Sequence, residues 1–327
     1  MPNNNEMKRE QAERIYIFDT TLRDGQQSPG AGLTFEDNLI YADYADQLNV
    51  DILEAGFPSA SQTDFYIVKS ISERMAARKS NMVVAGLCQL REGQVIKTIE
   101  SLAGSIPLGK ARVHTYVPVD PSLAKASLGH HANHDEIIKT VYKLIKMAKD
   151  AGCEVEFSPE GYSRLGDHFD YVGDLVRAAV EAGASVINCP DTIGGACRRE
   201  GEQYFVRRMQ RHADMIQKEF PNHPVIWSTH NHNDFGLALD NSINAVFEGP
   251  ARHETTFLLL CAFHSPAFSP HSSRRFRYDV QPKGTHPSTK SSTKRNSRLG
   301  KPLPQISTSG KSVILASCIR RIIPGIT

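Results

Sequence analysis

The stretch "VIWSTHNHND" (residues 225–234) decides how the rest of the chain is read. It opens on an apolar run and closes on two histidines, His230 and His232, two positions apart. Side chains alternate along a strand, so on a strand both imidazoles point to one side. Such a pair suits a metal ion, and it equally suits two polar residues at a strand end. The same format recurs along the chain. "IYIFDTTLRD", "VDILEAGFP", "NMVVAGLCQ", "ARVHTYVPV", "EVEFSPEG" and "ASVINCPDT" each pass from apolar into polar or glycine residues, and longer amphipathic stretches lie between them.

Helices are predicted over 34–49, 135–152 and 170–183. In the second, Ile138, Val141, Tyr142, Ile145 and Ala148 fall at helical spacing as the inner face, with Gly152 as the stop. Seven strand-then-helix units, roughly 25 to 40 residues apart, predict a parallel α/β architecture. The apolar runs are continuous, as for strands buried on both faces. An open doubly wound sheet and a (β/α)8 TIM barrel both satisfy this. The barrel is preferred because polar residues gather where strands end: Asp24, Glu54, His114, Glu160, Asp191, Thr192, His230 and His232. Barrels of this kind build their sites from the C-terminal ends of several strands. No GxGxxG follows the first strand, which weakens a dinucleotide-binding reading. An eighth strand is expected near "RHETTF" (252–257).

At 327 residues, with 40% hydrophobic and 23% charged residues, the chain has ample material for a core. It holds no apolar run of about 18 residues that would span a membrane, and its polar N-terminus is not a secretory signal. Six scattered cysteines without a CxxC pair read as reduced thiols, and a cytoplasmic location is expected. The net charge of +2 conceals an asymmetry. Residues 261–327 hold 12 Lys+Arg against 1 acidic residue, and the chain before them 26 against 35. Three regions are therefore expected: a disordered N-terminus (1–14), a barrel (15–257) and a basic Ser/Pro-rich tail (258–327) with little periodicity. The tail raises nucleic-acid binding as a non-catalytic alternative, but no aromatic interleaving or known module accompanies its charge.

"FDTTLRDGQQ" (18–27) is read as ending the first strand with Arg23 and Asp24. In a barrel, Asp24, His230 and His232 would meet above one mouth as ligands of a divalent cation, leaving positions open for substrate and water. A 2-His-1-carboxylate iron oxygenase shares that ligand set, but its usual antiparallel barrel lacks the helical stretches found here.

"DTTLRDGQQ" together with "HNHNDFGLALDNSINAV" resembles the metal-dependent acyl-CoA-condensing barrels, the 2-isopropylmalate, homocitrate and citramalate synthases. Hydroxymethylglutaryl-CoA lyases share much of this signature. The resemblance runs over roughly residues 15–250, and "LEAGFPSAS", "HTYVPVDP", "VEFSPEGYSR" and "INCPDTIGGA" favour the 2-isopropylmalate synthase branch. It implies condensation of acetyl-CoA with 2-oxoisovalerate, with homocitrate or citramalate synthase and the lyase as alternatives. It also implies a divalent cation (Mg, Mn or Zn), a homodimer and no membrane. Carried onto this chain, Asp24, His230 and His232 hold the metal. Arg23 stabilises the growing oxyanion and Glu160 removes the methyl proton. His114, Ser158, Asn188 and Thr192 surround the 2-oxo acid. The duller expectations are that Arg23 merely pairs with Glu54, His114 is a satisfied core histidine, and Asp191 caps a loop.

The resemblance stops near "HETTF". The family's Asn-Gly-Ile-Gly-Glu-Arg-Ala-Gly-Asn segment and its later histidine motif have no counterpart, as though the reading frame had shifted. An incomplete last unit is therefore expected. It would leave the first and seventh strands with unpaired edges, weaken metal binding and impair turnover.

Overall fold

The apolar runs form eight parallel strands that close into a barrel in chain order. They are β1 (Tyr16–Asp19), β2 (Ile52–Glu54), β3 (Val83–Gln89), β4 (Ala111–Pro118), β5 (Glu154–Glu160), β6 (Val186–Asp191), β7 (Ile226–Asn231) and β8 (His253–Phe257). The computed structural model describes residues 15–28, 30–128, 133–250 and 253–257. The expected N-terminal and tail regions lie outside these. Helices α1 (Phe35–Gln47), α2 (Gln62–Ala77), α3 (Glu92–Ser101), α5 (His134–Asp150), α6 (Phe169–Glu181), α7 (Phe205–Glu219) and α8 (Ala238–Glu248) follow β1 to β7. A further helix, α4 (Pro121–Leu128), interrupts the connection from β4 to α5. Among the described residues no helix is long and apolar enough to cross a membrane.

Local chemistry sets the helix ends. Thr34 accepts from the Asp37 amide at 3.1 Å while the Asp37 carboxylate accepts from the Thr34 amide at 3.3 Å, a reciprocal cap that starts α1. Asn133 starts α5, and Gly152 takes φ +88° just beyond its end, where glycine adopts the left-handed turn without strain. The inner face of α5 is Val141, Leu144, Ile145 and Ala148. Tyr142, expected there, is 39% exposed. One helical step of about 100° turns it off a stripe centred on 141, 145 and 148.

Two expectations about the strands need correction. β1 ends at Asp19, so Arg23 and Asp24 sit in the turn after it, and Asp24 precedes the 3-10 turn Gly25–Gln27. That turn is tied by the Arg23, Asp24 and Gly25 amides, all donating to the Thr20 carbonyl at 2.9–3.2 Å. The edges of β1 and β7 are also not bare. β8 pairs with β7 from Trp227↔His253 to His230↔Thr256, and with β1 from Tyr16↔Glu254 to Asp19↔Phe257. Five β-branched, aromatic and polar residues suffice for this strand. The ring of hydrogen bonds is complete.

Register then sorts residues by parity. Pairs such as Arg112↔Glu154, His114↔Glu156, Tyr116↔Ser158 and Pro118↔Glu160 place even-numbered residues of β4 and β5 side by side, and Asn188↔Ser228 and Pro190↔His230 do so for β6 and β7. Their odd-numbered neighbours, among them Val113, Val155, Phe157, Ile187 and Cys189, belong to the apolar layer packed under the helices. At the floor, Phe18, Ile52 and Ala85 form a small separate cluster. Arg112 lies 5.6 Å over the Phe18 ring, with Nε 2.7 Å from Glu154 and Nη1 2.9 Å from Glu156.

Outside β6, His212 is fully buried. Its Nδ1 accepts from the Tyr162 hydroxyl at 2.7 Å, its Nε2 donates to the Phe169 carbonyl at 3.0 Å, and its ring stacks on Phe169 at 4.0 Å. Burial depresses this imidazole from 6.5 to about 4. The fold thus holds His212 neutral, and its contribution to stability is full above pH 6.5 and is lost as pH falls toward 4. The loss is on the order of 3 kcal/mol. Urea unfolding at pH 7 and pH 4.5 measures it. His212→Asn should reduce the difference without abolishing it, because the buried His230 titrates over the same window; an unchanged pH slope would remove His212 as a source.

Candidate metal centre and its cavity

The strand ends surround a cavity of about 200 Å³ lined by Arg23, Asp24, His114, Ser158, Glu160, Asn188, Thr192, His230 and His232. These are the nine candidate residues named from the sequence, and the structure brings all of them to one mouth. Gln27, Phe57, Leu87, Tyr116 and Pro190 complete the wall. Sequence reasoning passed over these five. Parity would have found Tyr116 and Pro190, two positions after His114 and Asn188; Phe57 and Leu87 carry no chemical mark.

Asp24, His230 and His232 form the group whose ligand atoms all lie within 4.8 Å of one another. His230 is the penultimate residue of β7, and His232 lies one past its end. Their Nε2 atoms are 3.1 Å apart, and His230 Nε2 is 3.8 Å from Asp24 Oδ2. An ion bonded to two imidazoles at about 2.0–2.1 Å spaces their nitrogens by about 2.9–3.4 Å for octahedral to tetrahedral angles. The histidine pair has that spacing. Burial, only partly countered by Asp24, also depresses His230 from 6.5 to about 3, so its imidazole is neutral and keeps a lone pair for an ion. The donor set fits a divalent cation.

The backbone under the ligands is held closely. The His232 and Gly194 amides both donate to the Asp191 carbonyl, at 3.2 and 3.1 Å. Gly194 has φ +69°, and a Cβ there would meet the His232 carbonyl oxygen at 2.8 Å. The Asp191 carboxylate, fully buried, accepts from Ser163 Oγ at 2.6 Å and from the Ala196 amide at 3.0 Å. Asp191 is a loop anchor, as the duller reading had it.

Behind Asp24, His230 and His232 lies a buried charge network. Arg23 donates from Nε to Glu54 at 2.6 Å and from Nη1 to Asp24 at 2.9 Å. His114 Nδ1 lies 2.6 Å from Glu54, and its Nε2 lies 2.7 Å from Ser158 Oγ and 3.7 Å from Glu156. Burial pushes the Glu54 carboxyl upward, but Arg23 and His114 outweigh it and hold it at about 2. Burial pulls His114 down, yet Glu156 and Glu54 raise it above the ordinary histidine range. Arg23 therefore both pairs with Glu54 and faces the cavity, and His114 is both satisfied and exposed to the pocket. Asn188 donates to Ser158 at 2.8 Å, while its buried Oδ1 has no hydrogen-bond partner. Thr192 Oγ1 accepts from the Gly161 amide at 3.0 Å. Glu160 is half-buried, and burial raises its carboxyl more than Arg23 lowers it.

A family model described as HMGL-like matches residues 14–258. The chain belongs to the HMGL-like family. Over 246 residues it is 35% identical to the 2-isopropylmalate synthase of Nitrosomonas eutropha, an alignment covering 75% of this chain and 44% of that protein. The 2-isopropylmalate synthase of Neisseria meningitidis serogroup A is 36% identical over 246 residues, with the same shares. The chain thus spans less than half the length of these curated relatives. The crystal structure of the Bacillus subtilis HMG-CoA lyase shares the fold, with a TM-score of 0.57 and 16% identity over 80% of this chain and 82% of that one. This HMGL-like barrel therefore joins a family of enzymes whose relatives include proteins named 2-isopropylmalate synthase.

Proposed function

We propose that the barrel condenses acetyl-CoA with 2-oxoisovalerate and water, giving 2-isopropylmalate and free CoA. The observation that carries this reading is the convergence of Asp24, His230 and His232 with Arg23 and Glu160 on one cavity, in a chain 35% identical to named 2-isopropylmalate synthases. Asp24, His230 and His232 would hold a divalent cation, whose chemistry is Lewis-acid polarisation of a bound carbonyl.

The chain's own groups supply the rest. Arg23, fixed by Glu54 and Asp24, presents positive charge where the substrate carbonyl oxygen becomes negative. Its planar fork suits that task, since it engages two carboxylates at fixed angles while the group lines the cavity. Glu160 takes a methyl proton from acetyl-CoA. Burial raises its carboxyl more than Arg23 lowers it, which makes it a stronger base than an ordinary glutamate. Ser158, His114 and Asn188 line the side where the 2-oxo acid would sit, and the Thr192 hydroxyl reaches its carboxylate.

CoA release from acetyl-CoA, followed with a thiol reagent in the presence of Mg, Mn or Zn, tests the reading with 2-oxoisovalerate, pyruvate and 2-oxoglutarate in parallel. Release is expected to be fastest with 2-oxoisovalerate. Glu160→Gln should lower kcat by about 10²–10⁴-fold with little change in binding of the 2-oxo acid. A faster reaction with pyruvate or 2-oxoglutarate would replace the substrate. Cleavage of hydroxymethylglutaryl-CoA without condensation would replace the reaction.

A further inference from the structure

Glu54, His114 and Ser158, from β2, β4 and β5, stand in an order that lining a cavity does not require. Glu54 Oε1 is 2.6 Å from His114 Nδ1, and His114 Nε2 is 2.7 Å from Ser158 Oγ. All three are at most 4% exposed, yet His114 and Ser158 reach the cavity wall. Against the effect of burial, Arg23 and His114 hold the Glu54 carboxyl at about 2, so it is ionised and only accepts. That fixes a proton on Nδ1. In the neutral imidazole the lone pair then lies on Nε2, and the Ser158 hydroxyl donates to it. Asn188 Nδ2 donates to the same oxygen at 2.8 Å, which takes one of its two lone pairs and leaves the other. A carboxylate on the Nδ1 side and a hydroxyl on the Nε2 side make a serine nucleophilic on many unrelated folds.

We propose that Ser158 is a nucleophile toward activated esters and thioesters of small acyl groups, with His114 as its base and Glu54 holding the imidazole. The Ser158 oxygen bonds to the acyl carbon while its proton passes to His114 Nε2. The bond to the leaving thiolate or alkoxide then breaks, and that group takes the proton from His114. Water attacks the Ser158 ester by the same route, releasing the carboxylic acid and restoring the hydroxyl. Arg23, lining the same cavity, offsets the negative charge of the tetrahedral intermediate. A cavity of about 200 Å³ limits the acyl group to a few carbons. Three charged groups face His114: Glu54 from β2, Glu156 from β5 with its oxygen 3.7 Å from Nε2, and Arg23 from the turn after β1. Burial lowers the imidazole, but the two carboxylates raise it above its ordinary range despite Arg23. The base is therefore charged in mildly acidic solution and freed as pH rises, so acylation should quicken with pH.

The full chain, kept with a chelator, is treated with methanesulfonyl fluoride, a small reagent whose adduct on serine does not hydrolyse, and mapped by peptide mass spectrometry. A sulfonyl group on Ser158 is expected, forming faster at about pH 9 than at about pH 6. In His114→Asn the rate at Ser158 should fall at least about 100-fold, and Glu54→Gln, which keeps the carboxyl's shape and disturbs the tautomer, should do the same. The fully modified chain should also lose its hydrolysis of p-nitrophenyl acetate. No adduct on Ser158 in the parent chain would overturn the proposal without recourse to a variant. An unchanged rate in either folded variant, or ester hydrolysis that survives complete modification, would overturn it as well. Neither a metal nor a 2-oxo acid enters the measurement, so its outcome is independent of the proposed condensation.

Discussion

Replacing His230 with alanine is expected to lower divalent-cation affinity by more than about 100-fold, beyond the 10–100-fold typical when only a partner of a ligand is lost. The reason lies in the short list of donors. In the proposed site the two Nε2 atoms 3.1 Å apart would supply two of the three protein ligands, and removal of one would leave a single imidazole and the Asp24 carboxylate. Titration calorimetry with Mn or Zn measures this directly. Because His230 is buried, its loss also opens space in the wall, so Asp24→Asn serves as the companion variant. It keeps the shape and removes the charge, and should weaken binding while Arg23 keeps its Glu54 partner. Unchanged affinity in both variants would remove this trio as the metal site. The completeness of the barrel matters here: β8 pairs with β7 and β1, so the expected gap between Asp24 and the histidines is absent and cation binding should survive even where turnover is low.

The second large effect lies deeper. Arg112→Met should destabilise the fold by about 3–5 kcal/mol, since it strands a fully buried Glu156 carboxylate without its guanidinium. Replacing both partners is a different experiment. Arg112→Met with Glu156→Leu removes both charges and should recover much of the loss, because a packed apolar pair avoids the desolvation that the ion pair must overcome. Equilibrium urea unfolding of the two single variants and the double variant gives the coupling energy. A single variant within 1 kcal/mol of the parent would show that the pair carries little of the stability.

The legible part of this molecule was its outline. Repeated passage from apolar into polar residues disclosed parallel strands, and the polar ends disclosed the mouth, because a buried charge in a barrel has few other places to be useful. The expected eighth strand near 252–257 is present as His253–Phe257. What stayed hidden was whatever depends on three-dimensional neighbours. No spacing marks Asp24 as lying in a turn five residues past the end of β1, since "DTTLRD" continues the strand pattern without a break. Tyr142 fits a helical stripe on paper and turns outward in the fold. The double role of Arg23, partner of Glu54 and lining of the cavity, was posed by the sequence as two alternatives, and geometry makes them one. Helix α4 follows a proline start that composition alone does not distinguish from a loop.

The strand ends at the mouth are joined side to side by hydrogen bonds. The Val119 amide donates to the Glu160 carbonyl, the Gly161 amide to Thr192, and the His232 amide to the Asp191 carbonyl. Each bond crosses from one strand's exit to the next, so four exits behave as links of one chain. Energies of substitutions around this rim should therefore not add: a change at Thr192 alters the footing of Glu160, and a change at Asp191 alters that of His232. A laboratory evolving this barrel toward a new substrate would meet epistasis among neighbouring loops first, and independent improvement only between positions on opposite sides of the mouth.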